Sequence, residues 1–209
     1  MDRIEHPSVT TIGELDRLYA PPHERAVKKE LDRIDALGRA FIAASPFLVM
    51  ATGSADGLDC SPKGDEPGFV QVADDGKRLM IPDRPGNNRI DGLRNLVEDS
   101  RIALLFFVPG ANDTYRVNGR ARISAEPALR ARFDVDGKEP RTVIVVAVEQ
   151  AFHHSPKALI RSDLWHAGAA MPLPEGVPTI GDFAARNDPR LDVARFNADY
   201  ARDLIADLY

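Results

Sequence analysis

Three separate stretches of the chain gather cations and small hydrogen-bonding side chains: Ser61 with Lys63, Asn87-Asn88-Arg89, and Lys157 with Arg161. The middle one is the most pointed. It lies within Asp83–Leu96, where Pro85-Gly86 interrupts the chain and Asn87 or Asn88 offers a side-chain oxygen as a helix N-cap. Ile90, Leu93 and Leu96 or Val97 then recur at helical spacing. A helix starting at Asn87 or Asn88 turns unpaired N–H groups and the positive end of its dipole toward the loop. Arg84 and Arg89 add fixed charge beside it. Such a place suits an anion, phosphate best of all. An ordinary capped surface helix with solvated arginines fits the same residues.

Other chemistry finds little support. The chain has no Gly-x-Ser-x-Gly, no Gly-Lys-Ser/Thr phosphate loop, no Gly-x-Gly-x-x-Gly and no His-Glu-x-x-His. His153 and His154 are adjacent at a strand end and point to opposite faces, so even with His166 they make a poor metal site, and no metal is expected. Cys60, the single cysteine, has no base beside it in sequence and reads as a strand residue. Cations and capping groups without a catalytic signature suit a phosphorylated cofactor whose own ring does the chemistry.

The elements that must position these groups follow from periodicity. A helical arm is expected over residues 1–44: a short helix behind the Thr11/Glu14 capping box, then a longer one from about His23 to Ala44 with Val27, Leu31, Ile34 and Phe41 on one face. From Phe47 the period changes to that of strands: Phe47–Ser54, Asp59–Pro62, Phe69–Val72, Arg78–Ile81, Arg101–Val108, Tyr115–Ser124 and Thr142–Ala151. Ala55-Asp56-Gly57 and Asp74-Asp75-Gly76-Lys77 are hairpin turns. Short strands with hairpin links and few crossovers favour an antiparallel barrel over residues 45–152. A second arm over 153–209 holds a helix opened by Ser155-Pro156, then Trp165, a Pro- and Gly-rich loop over Gly168–Thr179, and a final helix over Leu191–Leu208.

Composition narrows the function classes. In 209 residues, 44% are hydrophobic, enough for a sizeable core, and the net charge of -5 argues against nucleic acid or an anionic membrane as partner. One cysteine excludes an internal disulfide. No apolar run is long enough to span a membrane, and the start Met-Asp-Arg-Ile-Glu-His-Pro has no apolar signal core, so a cytoplasmic protein is expected.

The order of these features resembles the pyridoxamine 5'-phosphate oxidase-like FMN-binding split barrels. The resemblance runs from about Ala40 to Ala151, more weakly to Trp165. It rests on Phe47-Leu-Val-Met-Ala-Thr with Asp56-Gly57, on Cys60-Ser61-Pro62-Lys63-Gly64-Asp65, on Asn87-Asn88-Arg89 before Leu93-Arg94-Asn95-Leu96, on Arg101-Ile-Ala-Leu-Leu-Phe, and on Tyr115-Arg116-Val117-Asn118-Gly119. It implies a mainly β (α+β) fold, a six- to seven-stranded antiparallel split β-barrel of the FMN-binding type with helical arms at both ends. It further implies FMN as cofactor and a homodimer with flavin at the interface. Ser61, Pro62, Lys63 and Gly64 would follow the ribityl chain and ring edge, and Asn87, Asn88 and Arg89 would take the phosphate. Lys157, Arg161 and Trp165 would cover the flavin. The oxidase proper carries Ser-Arg-Lys where this chain has Asn-Asn-Arg, which leaves the substrate open. The implied activity is an FMN-dependent oxidoreductase acting on a small molecule with NAD(P)H as a candidate donor. A non-catalytic flavin or haem binding or sensor protein is the alternative, and an empty structural barrel is the third reading.

Overall fold

The computed structural model describes residues 8–165, 179–185 and 188–206. The chain forms two compact units, residues 1–30 and 31–209.

In the first unit, α1 (Ile12–Leu18) begins with both halves of the expected capping box. The Glu14 N–H donates to Thr11 Oγ1 at 3.3 Å, and the Thr11 N–H donates to Glu14 Oε2 at 3.0 Å. Its apolar residues Ile12, Leu15 and Leu18 remain exposed. A five-residue helix, α2 (Glu24–Lys28), completes the described part of the unit.

The single helix expected from His23 to Ala44 is not formed: α2 ends at Lys28 and α3 spans Ala36–Ala44. Between them, the Leu31 backbone exchanges two hydrogen bonds with Ala151, at 3.0 and 2.8 Å. Asp35 then caps α3 by accepting from the Gly38 N–H at 2.8 Å. A strand-like bridge and a strong N-cap therefore outcompete helical continuation through Asp32-Arg33.

The second unit is built on a seven-stranded, wholly antiparallel sheet in the order β2-β1-β5-β6-β7-β4-β3. Its strands are β1 (Phe47–Ser54), β2 (Gly57–Gly64), β3 (Gln71–Val72), β4 (Arg78–Asp83), β5 (Arg101–Phe107), β6 (Thr114–Ser124) and β7 (Thr142–His154). The fold is mainly β and is a split barrel. The strand expected over Phe69–Val72 shrinks to β3 because Phe69 and Val70 turn into the core instead. Helix α4 (Asp91–Glu98) links β4 to β5, and α5 (Pro127–Ala131) links β6 to β7.

The β1–β2 and β3–β4 hairpins form where expected. The second needs Gly76, whose φ is +67° and where a Cβ would collide with the Ile34 carbonyl. Strand alternation sends Leu48, Met50, Ile102, Leu104, Phe106 and Val117 inward, all nearly free of solvent. Each such side chain contributes about 1.5–3 kcal/mol of burial. After β7 come α6 (Lys157–Ser162), α7 (Ile180–Ala185) and α8 (Val193–Ala206). Pro156, not Ser155, is the N-cap position of α6, with no side-chain cap. The Gly181 N–H of α7 donates to Asn197 Oδ1 of α8 at 2.8 Å. His166, most of the Gly168–Thr179 loop and Leu208 lie outside the described residues.

Tyr115 of β6 is 5% exposed and stacks on Phe41 at 6.1 Å between ring centroids. Burial, helped by the Asp35 charge, pushes its phenol from the ordinary 10.0 up to about 12. A raised folded-state pKa means the folded chain holds this proton more tightly. The resulting stability is complete below pH about 10 and is lost as pH rises to about 12. Across that window wild type should lose on the order of 2 kcal/mol more than Tyr115→Phe. Equal alkaline losses of the two in urea unfolding at stepped pH would contradict this.

Candidate functional site

A cleft of about 830 Å³ opens where β2 faces the chain between β4 and α4. Burial alternates along β2 so that Asp59, Ser61 and Lys63 are the half-buried set, and Cys60, Pro62 and Gly64 the exposed set. Residues 59–64 all line the cleft. On the opposite wall stand the first turn of α4 and the loop from Pro82 to Ile90, and the start of β7 closes the end.

Helix α4 sits close because residue 92 has no side chain. A Cβ there would be 3.1 Å from Met50 Cε and 3.4 Å from Thr52 Oγ1. One turn later the buried Asn95 donates through Nδ2 to Thr52 Oγ1 at 3.2 Å and to Asp59 Oδ2 at 2.7 Å. These contacts fix the helix on β1 and β2. Of the two alternatives for the apolar stripe, Leu96 is buried and Val97 exposed.

The loop departs from the expected capping. Neither Asn87 nor Asn88 caps α4, which starts at Asp91 behind Ile90. Asn87 Oδ1 instead accepts from the Arg89 N–H at 3.0 Å, a local Asx turn that competes with helix initiation. Asn88 and Ile90 both adopt left-handed backbone, with φ of 59° and 52°. The first turn of α4 carries Asp91, whose carboxylate already answers the helix dipole.

Ion pairs occupy most of the cations at the cleft. Lys63 Nζ lies 2.8 Å from Asp83 Oδ1, and Arg84 Nε lies 2.6 Å from Asp65 Oδ2. Arg84 also donates to the Phe133 carbonyl at 2.7 Å, so it holds the fold; of the two sequence alternatives, charge beside an anion site or a solvated arginine, the second does not describe it. Arg89 Nε lies 2.7 Å from Asp91 Oδ2, and this partner raises the guanidinium pKa. Arg141 Nη1 donates to Asn88 Oδ1 at 3.2 Å. Next to it, Thr142 Oγ1 is buried with no hydrogen-bond partner among the described residues.

The structure thus brings Ser61, Pro62, Lys63 and Gly64 together with Asn87, Asn88 and Arg89 around one cleft. It does not bring Lys157, Arg161 and Trp165 to that cleft within the same chain. They follow His154, at the end of β7 remote from Thr142. Trp165 Nε1 donates to the Ala111 carbonyl at 2.7 Å. Sequence reasoning missed Arg141 and Thr142 because only the pairing of Thr142 with Asp83 carries them there. It also missed Asn95, although a polar residue inside the Leu93–Leu96 stripe was a readable signal.

A family model described as pyridoxamine 5'-phosphate oxidase matches residues 34–155. Among solved structures, HupZ of Group A Streptococcus is 23% identical, with a TM-score of 0.46, over 57% of this chain and 93% of its own. A Lactobacillus delbrueckii protein proposed to be a pyridoxamine 5'-phosphate oxidase is 19% identical, with a TM-score of 0.47, over 59% and 98%. The FAD binding protein of Mycobacterium smegmatis is 11% identical, with a TM-score of 0.41, over 59% and 97%. No curated protein matches the chain.

Arg84 and Asp65 have side chains only 13% and 3% exposed. Removing one partner of such a pair strands the other, at a typical cost of about 3–5 kcal/mol. Arg84→Ala should therefore lower stability by that amount in denaturant unfolding, and the exposed Arg101→Ala should lower it far less. Equal, small losses would show that this pair does not hold the cleft wall.

Proposed function

This chain belongs to the pyridoxamine 5'-phosphate oxidase family, and from that premise we propose that it is an FMN-binding flavoprotein, an FMN-dependent oxidoreductase acting on a small molecule in the cytoplasm. No described helix is long and apolar enough to cross a membrane. The observation that carries the reading is the cleft itself: within the matched segment it gathers, among the described residues, a hydroxyl, four cations and a buried hydroxyl without a hydrogen-bond partner. Its volume, about 830 Å³, is in the range of cofactor sites. An unsatisfied buried hydroxyl is uncommon in a finished interior and is what a bound polar ligand would satisfy.

When bound, the flavin supplies the electron transfer, so no side chain need act as a strict general base. The chain's own residues bind and orient. Ser61 and Lys63 offer donors from one face of β2, and Pro62 and Gly64 continue that wall. Asn87, Asn88 and Arg89 would face the phosphate. Arg89 would have to exchange Asp91 for that phosphate, so its net contribution would be that of an ordinary hydrogen bond rather than of a free charge.

A homodimer accompanies this reading. The outer face of β1 and β5 presents Val49, Ala51, Ala103 and Leu105, none of them fully buried, with Phe47 and Phe107 at its end. A two-fold contact there would be self-complementary. Lys157, Arg161 and Trp165, remote from their own chain's cleft, would then serve the partner's flavin.

Purified protein should be yellow, and anaerobic NADH or NADPH should bleach it, with colour returning in air. Flavin that binds without bleaching favours a binding or sensor role, and a colourless protein that takes up no flavin overturns the reading. Titration of apo protein should show Arg89→Ala weaker for FMN by about two- to tenfold and unchanged for riboflavin.

Light scattering should give twice the chain mass at micromolar concentration. A flavin-loaded monomer would refute the dimer.

A further inference from the structure

Among the described residues, four basic side chains line the cleft: Lys63, Arg84, Arg89 and Arg141. The first three each hold a carboxylate, Asp83, Asp65 and Asp91 respectively. Arg141 has no carboxylate partner among the described residues; its Nη1 donates to the neutral Asn88 amide. A phosphate approaching Lys63, Arg84 or Arg89 must displace an anion already in place. At Arg141 it displaces none and meets the full guanidinium charge.

The neighbouring residue strengthens the case independently. Thr142 lines the same cleft, and its buried Oγ1 has no hydrogen-bond partner among the described residues. Thr142 is the first residue of β7, in register with Asp83 of β4, and Arg141 directly precedes it. A strand ladder therefore fixes Thr142, unlike the Asn87–Arg89 loop, and Arg141 is held one residue away from it. Asn88 Oδ1 holds the guanidinium toward that loop.

We propose that Arg141 and Thr142, rather than Arg89, form the main seat for a phosphate monoester in this cleft. Arg141 supplies a fork of N–H donors and Thr142 a hydroxyl donor to the same phosphate. The assignment rests on the flavin reading for the identity of the ester, FMN's own phosphate. The competing source, the phosphate of a substrate, is separated by the test.

Apo wild type, Arg141→Ala, Thr142→Val and Arg89→Ala are titrated with FMN and with riboflavin, with thermal melts confirming that each variant folds. Arg141→Ala should lose about ten- to a hundredfold in FMN affinity, the usual worth of a charge-assisted hydrogen bond, and keep its riboflavin affinity. Thr142→Val should lose less in the same sense, and Arg89→Ala less than Arg141→Ala. Equal losses on both flavins, no loss in Arg141→Ala, or a larger loss in Arg89→Ala would overturn the assignment. So would wild type binding both flavins equally, which leaves the seat to a substrate's phosphate. If wild type takes up neither flavin, the flavin reading fails by itself. The seat is then read from inorganic phosphate: it stands if phosphate raises the melting temperature of wild type and not of Arg141→Ala, and falls if both respond alike.

Discussion

The ion pair between Arg84 and Asp65, almost wholly removed from water, is the constraint on which the rest of the molecule turns. The hydrogen-bonded ladder begins at β2 and ends at β3. The segment that carries β2 onward and the one that leaves β4 are joined by side chains instead: Lys63 to Asp83, and Asp65 to Arg84. Closure by charges leaves a gap with polar walls, and desolvation makes those charges intolerant of losing a partner. The Arg84 contact to the Phe133 carbonyl extends the same joint to the segment after α5.

That joint also decides which cations remain available. A sequence shows how many basic residues crowd a region but not how many are already committed. Lys63, Arg84 and Arg89 look alike on the page, yet each faces a carboxylate, and the acids concerned are spread through Asp65, Asp83 and Asp91. Among the described residues of the cleft, the charge without an acidic partner sits at Arg141, in a stretch that has no motif. Electrostatic sites built across a sheet follow from register, and register between β4 and β7 is a long-range property.

Much of the fold was nonetheless legible. Strand β1 runs over Phe47–Ser54 as its pattern predicted, and both hairpin turns fall at their Asp and Gly signals. These elements are set by local rules, alternation and turn chemistry, which short windows contain. The same is true of the Thr11/Glu14 capping box. The failures came where a local preference met a competitor from elsewhere. The His23–Ala44 helix yields at Leu31 because Ala151 offers its backbone. The start of α4 slips to Asp91 because Asn87 bonds within its own turn. Of the residues lining the cleft, those of β2 and the loop were readable together because they lie in two continuous stretches. Arg141 and Thr142 were missed because they reach the cleft through pairing alone.

The gap that the charges span has a second side. A sheet that does not close on itself exposes two terminal strands, and unpaired strand backbone recruits the strands of other molecules. Here both ends are blunted. β3 is two residues long, too short to template another chain. β2 is longer, but it contains Pro62, which withholds a backbone donor, and it turns Asp59 and Lys63 inward, where a pairing strand would have to bury them. The residues that shape the cleft therefore also protect the protein from polymerising through its open seam, and changes that make β2 more regular or more apolar would trade ligand access for aggregation.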